Sequence, residues 1–186
     1  MKLKRKTKNR GFTLIEILLV VGFISLAGIG IYTVYSKVQM SNAALTEGKN
    51  LDTIKAGVKS LYGGSQNYGG ISNSVLNDAR ITPDSMRAIP YVAGATSITN
   101  TFGGAVQVSS IGLNSGTNNG FRITYTQVPG AVCSKLVSGS GTSWDQITVG
   151  ATYVKTFGTG NLNISALASV CASDTGGGVS INFESI

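Results

Sequence analysis

Few residues in this sequence of 186 could carry out chemistry, and their types exclude most catalytic schemes. There is no histidine, so nucleophilic catalysis by a Ser-His or Cys-His pair is impossible. We therefore predict a protein that is not an enzyme and that needs no metal or other cofactor. The acidic residues of the body are scattered, at spacings that suggest neither a carboxylate dyad nor a metal site: Glu47, Asp52, Asp78, Asp84, Asp145, Asp174 and Glu184.

The two cysteines, Cys133 and Cys171, are a second group with chemistry of their own. In an exported chain an even pair of cysteines is more simply a disulfide than a metal site. Two thiols without histidine are also too few ligands for structural zinc. The residues favour a disulfide, and a free or metal-binding pair is the alternative. Trp144 lies between the cysteines and is expected in the core rather than on a ligand platform.

Residues 12–36 form an apolar run that contains a single charge, Glu16. A helix of this length spans roughly 38 Å, which is enough to cross a bilayer. Six of the 15 basic residues stand in the first ten positions with no acid among them. Such a basic tip holds the N-terminus of a membrane segment in the cytoplasm, and a nucleic-acid-binding arm is the less favoured explanation. The rest of the chain is close to neutral.

The junction between the basic tip and the apolar run is the most specific motif in the chain. A short basic leader ends at Gly11, the apolar run begins at once with Phe12, and Glu16 stands fifth in it. This junction resembles the class III signal of type IV prepilins and pseudopilins. The resemblance implies that a prepilin peptidase cleaves between Gly11 and Phe12 and that Phe12 becomes N-methylated. Glycine suits the cleaved position because no side chain blocks the approach of the peptidase.

Glu16 has two explanations, and both can hold at once. Thr13 and Glu16 have the spacing of a capping box, and an acid in the first turn complements the helix dipole. The resemblance implies that Glu16 also meets the free α-amino group of Phe12, on its own chain or a neighbour, inside a filament core. A competing hypothesis is a secretory signal peptide cut before Gly28. The charge at Glu16 and the amphipathic continuation of the helix count against it.

The helical pattern continues beyond Lys37, but there it is apolar on one face only. The run Leu61-Tyr62-Gly63-Gly64 then provides a C-terminal stop. We expect one helix of about fifty residues, apolar all round in residues 12–36 and amphipathic in residues 37–62. The apolar positions that predict the buried stripe of the second half are Met40, Ala44, Leu45, Leu51, Ile54, Val58 and Leu61.

Residues 63–186 predict a glycine-rich α+β head. Ser72 as a cap and Pro83 as a first-turn residue indicate short helices near Ser72–Arg80 and Pro83–Ala88. Runs rich in β-branched and aromatic residues predict strands that form an antiparallel sheet on the long helix. The expected strands are Ala105–Ile111, Phe121–Val128, Thr148–Phe157 and Val179–Phe183, and the expected further helices are Pro129–Ser138 and Ser165–Ala172.

Two features of the head extend the resemblance. The pair Cys133 and Cys171 looks like the disulfide that closes the C-terminal region of type IV pilins. The segment Thr101–Val108, TFGGAVQV, is similar to a Phe-Gly-Gly segment of type IVb pilins, including enterobacterial and conjugative thin-pilus subunits. The resemblance implies the type IV pilin fold, a long N-terminal helix packed against an antiparallel sheet. Its expected parts are a leader at 1–11, a transmembrane or filament-core helix at 12–36, an amphipathic half at 37–62 and a head at 63–186.

The resemblance also implies a biological role. The precursor would stay in the bacterial inner membrane until an assembly ATPase and its membrane platform add it to a homo-oligomeric extracellular pilus. Adhesion, bacterial aggregation or conjugative mating would follow from the displayed head of a major subunit. The alternatives are a minor pilin, a type II secretion pseudopilin, or a monomeric membrane-anchored or secreted binding protein. A mature N-terminus at Gly28 would indicate the secreted protein.

Overall fold

The structure, a computed structural model, describes residues 12–65 and 67–186. The chain divides between Gln39 and Met40 into two compact units, and each is considered by itself. The fold class is α+β, as predicted. The helices are α1 (Leu14–Leu61), α2 (Asn73–Asp78), α3 (Gly130–Ser140) and α4 (Ile164–Ala172), with a 3-10 turn at Asp84–Met86; the strands are β1 (Val106–Ile111), β2 (Gly120–Val128), β3 (Gln146–Val149), β4 (Thr152–Lys155) and β5 (Val179–Ser185).

Helix α1 ends at Leu61, immediately before the predicted glycine stop. In the unit from Met40 onward, five of its six buried residues follow alternating steps of three and four: Ala44, Glu47, Leu51, Ile54 and Val58; the sixth is Asn50. This spacing keeps the side chains on one face of the helix, against the sheet. The predicted stripe was wrong at three apolar positions that are exposed: Met40, Leu45 and Leu61. Leu45 lies off the buried face, whereas Met40 and Leu61 lie just beyond its two ends.

The five strands form one sheet in the order β1-β2-β5-β3-β4, with antiparallel neighbours throughout. The last strand of the chain, β5, lies at the centre between β2 and β3. The single strand predicted over Thr148–Phe157 was wrong, because the chain turns back there to form the β3–β4 hairpin. Gly150 adopts a φ of 58° at this turn, a conformation that glycine adopts without steric cost.

Side chains of the sheet alternate between an apolar inner face and a polar outer face. Ile123, Tyr125 and Phe183 are fully buried on the inner face, in one core with Leu51 and Ile54 of α1. Trp144 is 1% exposed in the same core, which confirms the prediction for it. The outer face carries the intervening residues: Gln107 and Ser109 of β1, Arg122 and Thr124 of β2, and Asn182 and Glu184 of β5.

Candidate assembly segment and contacts of the head

The first part of α1 is an apolar helix with no covering within its own unit. From Phe12 to Gln39 every side chain is exposed except Ser36, which is half-buried. The helix is long and apolar enough to cross a membrane. A helix that is apolar all round is stable only in lipid or against other helices. This segment is the candidate assembly segment, and Gly11, the predicted cleavage position, lies outside the described residues.

Phe12 lies just before α1, and Glu16 lies in its first turn, four residues along the chain. The amide of Glu16 donates to Thr13 Oγ1 at 3.4 Å, which is the Thr13 half of the predicted capping box. The Glu16 carboxylate makes no hydrogen bond or ion pair with another described residue. An acid in an apolar bilayer costs about 2.5–3.5 kcal/mol at the centre and less near the edge. A positively charged partner would offset that cost.

The structure joins Cys133 of α3 to Cys171 of α4 in a disulfide, with their Cα atoms 5.7 Å apart. Both residues are buried, at 0% and 2% exposure. The bridge encloses the β3–β4 hairpin, because that hairpin is inserted in the chain between the two helices. The disulfide therefore joins the helix that precedes the β3–β4 hairpin to the helix that follows it.

Glu47 is a buried acid on the core-facing side of α1, and sequence reasoning placed it only among the scattered acids. Its carboxylate accepts hydrogen bonds from the backbone N–H of Thr101 at 2.7 Å and from the Thr101 hydroxyl. The side chain of Asn50 donates to it at 3.4 Å. The sequence did contain a signal for this role, because Glu47 occupies a position of the helical period that faces the core. Glu47 ties the loop that begins at Thr101 to the long helix.

The Phe-Gly-Gly segment has a structural explanation in the same loop. Gly103 adopts a φ of 84°, and a β-carbon at Gly104 would collide with the backbone carbonyl of Thr126. The Asn100 side chain accepts from the N–H groups of Phe102 and Gly104 at 2.9 and 3.0 Å. The two glycines are therefore required by the turn and by its close approach to β2.

Asp174 closes the loop before β5 onto the N-terminus of α3. Its carboxylate accepts backbone N–H groups of Gly130, Gly176 and Gly178, each at 2.9 Å. These backbone hydrogen bonds, led by that of Gly130, hold the pKa of Asp174 below its ordinary value. Asp174 thus supplies an acceptor to the first turn of α3, where backbone donors have no helical partner.

Sequence comparisons place the chain in a known group. The sequence model of the family described as "PilS N terminal" matches residues 41–184. The major structural subunit of the bundle-forming pilus of Escherichia coli O127:H6 is 26% identical over 137 residues, which cover 74% of this chain and 68% of that protein. The toxin coregulated pilin of Vibrio cholerae serotype O1 is 25% identical over 145 residues, 78% of this chain and 64% of that protein. The chain belongs to the type IV pilin family.

Two solved structures share the fold of this pilin. TcpA, a type IV pilin from the El Tor biotype of Vibrio cholerae, superposes with a TM-score of 0.55 at 18% identity, covering 80% of this chain and 99% of that one. A type IV b pilin from Salmonella typhi superposes with a TM-score of 0.56 at 23% identity, covering 74% and 96%. The family and the long helix on an antiparallel sheet, both predicted from the sequence, are confirmed.

Replacing Glu47 with alanine should destabilise the pilin head by about 2 kcal/mol, since the donors of Thr101 and of buried Asn50 lose a charged acceptor. The measurement is urea unfolding of the detergent-solubilised chain, followed by tryptophan fluorescence. Asp52→Ala, which removes an exposed acid from the same helix, is the matched control and should leave stability nearly unchanged. A Glu47→Ala variant as stable as the Asp52→Ala variant would contradict the anchoring role.

Asp174 should make the stability of the pilin depend on pH in acid. Because its pKa is lower in the folded state than in the unfolded state, its contribution is present above the unfolded pKa, about 3.9. That contribution is lost as the pH falls through the lower, folded pKa. The free energy of unfolding of the wild type should therefore exceed that of Asp174→Asn at neutral pH, and the difference should shrink below about pH 4. Urea unfolding of both proteins between neutral pH and about pH 3 measures this difference in free energy. A difference that does not change with pH would refute the stabilising role of the Asp174 carboxylate.

Proposed function

We propose that this pilin is the major structural subunit of a type IV pilus and acts as a building block without catalytic activity. A prepilin peptidase removes residues 1–11, and the chain that begins at Phe12 is held in the inner membrane by residues 12–36. An assembly ATPase and its membrane platform then move the subunit into an extracellular filament. The filament displays the head for adhesion, aggregation or conjugative mating.

The observation that carries this proposal is the exposed apolar surface of the segment from Phe12 to Gln39. Its surface has no polar face that would lie against water, so it needs lipid before assembly and other helices afterwards. Helices leaving lipid gain no hydrophobic energy from association, and close packing and polar contacts must supply the driving force. Glycines at positions 22, 28 and 30 leave open space on the helix, which allows neighbouring helices to approach closely.

Glu16 supplies the polar contact in this proposal. Cleavage after Gly11 creates an α-amino group on Phe12, four residues before Glu16 in the sequence. In a bundle of subunits the amine of one chain meets the carboxylate of its neighbour, and each compensates a charge that would otherwise be buried unpaired. The contact therefore favours one longitudinal position of each helix against the next.

The proposal is tested on material sheared from the surface of cells that express the complete chain. Mass spectrometry of its N-terminal peptide should find methylated Phe12, and electron microscopy of the same fraction should show filaments. Soluble chains that begin at Gly28 would instead identify a secreted binding protein. Chains that stay in the membrane and still begin at Met1 would refute cleavage by the peptidase. Filaments whose bulk consists of another pilin, with this chain as a trace component, would indicate a minor pilin.

A further inference from the structure

A polar hollow of about 480 Å³ lies on the outer face of the sheet in the head. It lies over β1 and β2, and the segment before β1 forms one of its walls. Apart from one valine, the lining side chains are polar: Asn73, Thr96, Gln107, Ser109, Arg122 and Thr124.

Arg122 is held in the hollow by a buried carboxylate. Its Nε donates to Glu184 Oε1 at 2.6 Å, and Glu184 is only 1% exposed. The second oxygen of Glu184 accepts from the side chain of Gln146. The side chain of Arg122 itself is 40% exposed, and its two Nη atoms have no hydrogen-bond partner among the described residues. The buried partner thus fixes the guanidinium while leaving one edge of it available.

The wall and the floor of the hollow differ in what they can offer a ligand. The Asn73 side chain donates to the carbonyls of Thr96 and Val106 and accepts from the N–H of Val108, all at 2.8 Å. Its hydrogen-bonding capacity is used in fastening the open edge of β1. Gln107 and Ser109 are exposed on β1, and Ser109 stands directly across from Arg122. The strands that form the floor of the hollow therefore place the Ser109 hydroxyl and the Gln107 amide beside the Arg122 guanidinium.

We propose that this hollow binds a carboxylate-bearing sugar. The guanidinium edge of Arg122 matches the two oxygens of a planar carboxylate in a bidentate pair. Ser109 and Gln107 then hydrogen-bond the hydroxyl groups of the sugar ring, and Thr96 borders it from the wall. Because Glu184 already balances the charge of Arg122, the attraction for the anion is local and a single site binds weakly.

The biological use of this site rests on the proposed function. A filament repeats the hollow in every subunit, and many weak sites on one particle bind a polysaccharide far more tightly than one site does. The free hexuronic acid and the same group on a surface polysaccharide present the same chemistry. Binding by the unassembled chain and binding by filaments are therefore measured separately.

The first experiment measures the affinity of the full chain in detergent for glucuronic acid, with glucose as the matched neutral sugar, by saturation-transfer NMR. Glucuronic acid should bind about tenfold or more tightly than glucose, because only it forms the charge-assisted pair. Arg122→Lys keeps a cation for Glu184 but lacks the planar fork, so it should lose most of this preference. Equal binding of the two sugars, no binding of either, or binding of inorganic sulfate as tight as that of glucuronic acid would overturn the proposal.

A second variant guards against misfolding around the buried ion pair. Ser109→Leu fills the hollow from an exposed position and leaves Arg122 and Glu184 untouched, so it should abolish binding of glucuronic acid. Ser180→Leu, an exposed serine of β5 outside the hollow, is its matched control and should bind as the wild type does. Equal binding by both leucine variants would place any affinity elsewhere.

Filaments adhering to a uronic-acid polysaccharide, but not to a neutral one, should lose adhesion with Ser109→Leu and retain it with Ser180→Leu. Filaments that adhere equally to both polysaccharides, or whose adhesion Ser109→Leu leaves intact, would overturn the use of the hollow in attachment. The measurement in detergent needs no filament. If the chain binds glucuronic acid in detergent but cells carry no filaments, the proposed function is contradicted and the binding site is still supported.

Discussion

Replacing Glu16 with alanine is expected to abolish surface filaments while the pilin still accumulates in the inner membrane. In the proposed filament the carboxylate of Glu16 compensates the α-amino group of Phe12. Removing one member of a buried ion pair costs about 3 kcal/mol or more. Such a loss weakens each association step roughly hundredfold. The measurement is the amount of pilin sheared from cells, relative to the amount in membranes.

Further substitutions separate the charge of Glu16 from helix capping. Glu16→Gln preserves size and polarity but removes the charge, so it should be as defective as Glu16→Ala. Thr13→Ala removes the hydroxyl that accepts from the amide of Glu16 at 3.4 Å and should still assemble. Ser25→Ala, on the same exposed surface, is the matched control. If Thr13→Ala fails and Glu16→Gln assembles normally, capping is the main role and the ion pair is refuted.

Replacing both cysteines with serine is expected to lower the free energy of unfolding of the head by about 4 kcal/mol. The bridge spans a sequence separation of 38 residues, and the chain-entropy model assigns this value to the freedom it removes from the unfolded chain. The buried serine hydroxyls would add to the loss. The melting temperature should fall by roughly 8–16 °C, as for domains of this size.

Thermal unfolding of the double variant Cys133→Ser/Cys171→Ser, followed by circular dichroism, makes this measurement. Ser134→Ala, next to the bridge on α3, is the control for substitution in that helix and should melt near the wild type. Filament yield should fall with the double variant in cells, because unfolded heads are degraded before assembly. A melting temperature unchanged by the double substitution would contradict a stabilising role for the bridge.

The loop anchored by Glu47 shows why part of the head was beyond prediction. The Phe-Gly-Gly segment could be noticed in the sequence only by its resemblance to type IVb pilins, and the turn that its two glycines form was not predicted. The acceptor that holds the loop comes from a helix 54 residues earlier. Arg122 and Glu184 are likewise separated by 62 residues. No periodicity within one element reveals such pairs. The first depends on how the loop packs against α1, and the second on how β2 and β5 are paired.

The sequence by itself determined the parts of this pilin that depend on neighbouring residues. The basic tip, the apolar run from Phe12, the amphipathic half and the glycine stop after Leu61 are all local patterns, because a helix satisfies its backbone within a few residues. Only the tertiary structure decided that β5 pairs between β2 and β3, that Glu47 lies in the core, and that a polar hollow forms beside Arg122. Sheet pairing joins residues distant in sequence, and the contacts it creates exist only once the strands are in register.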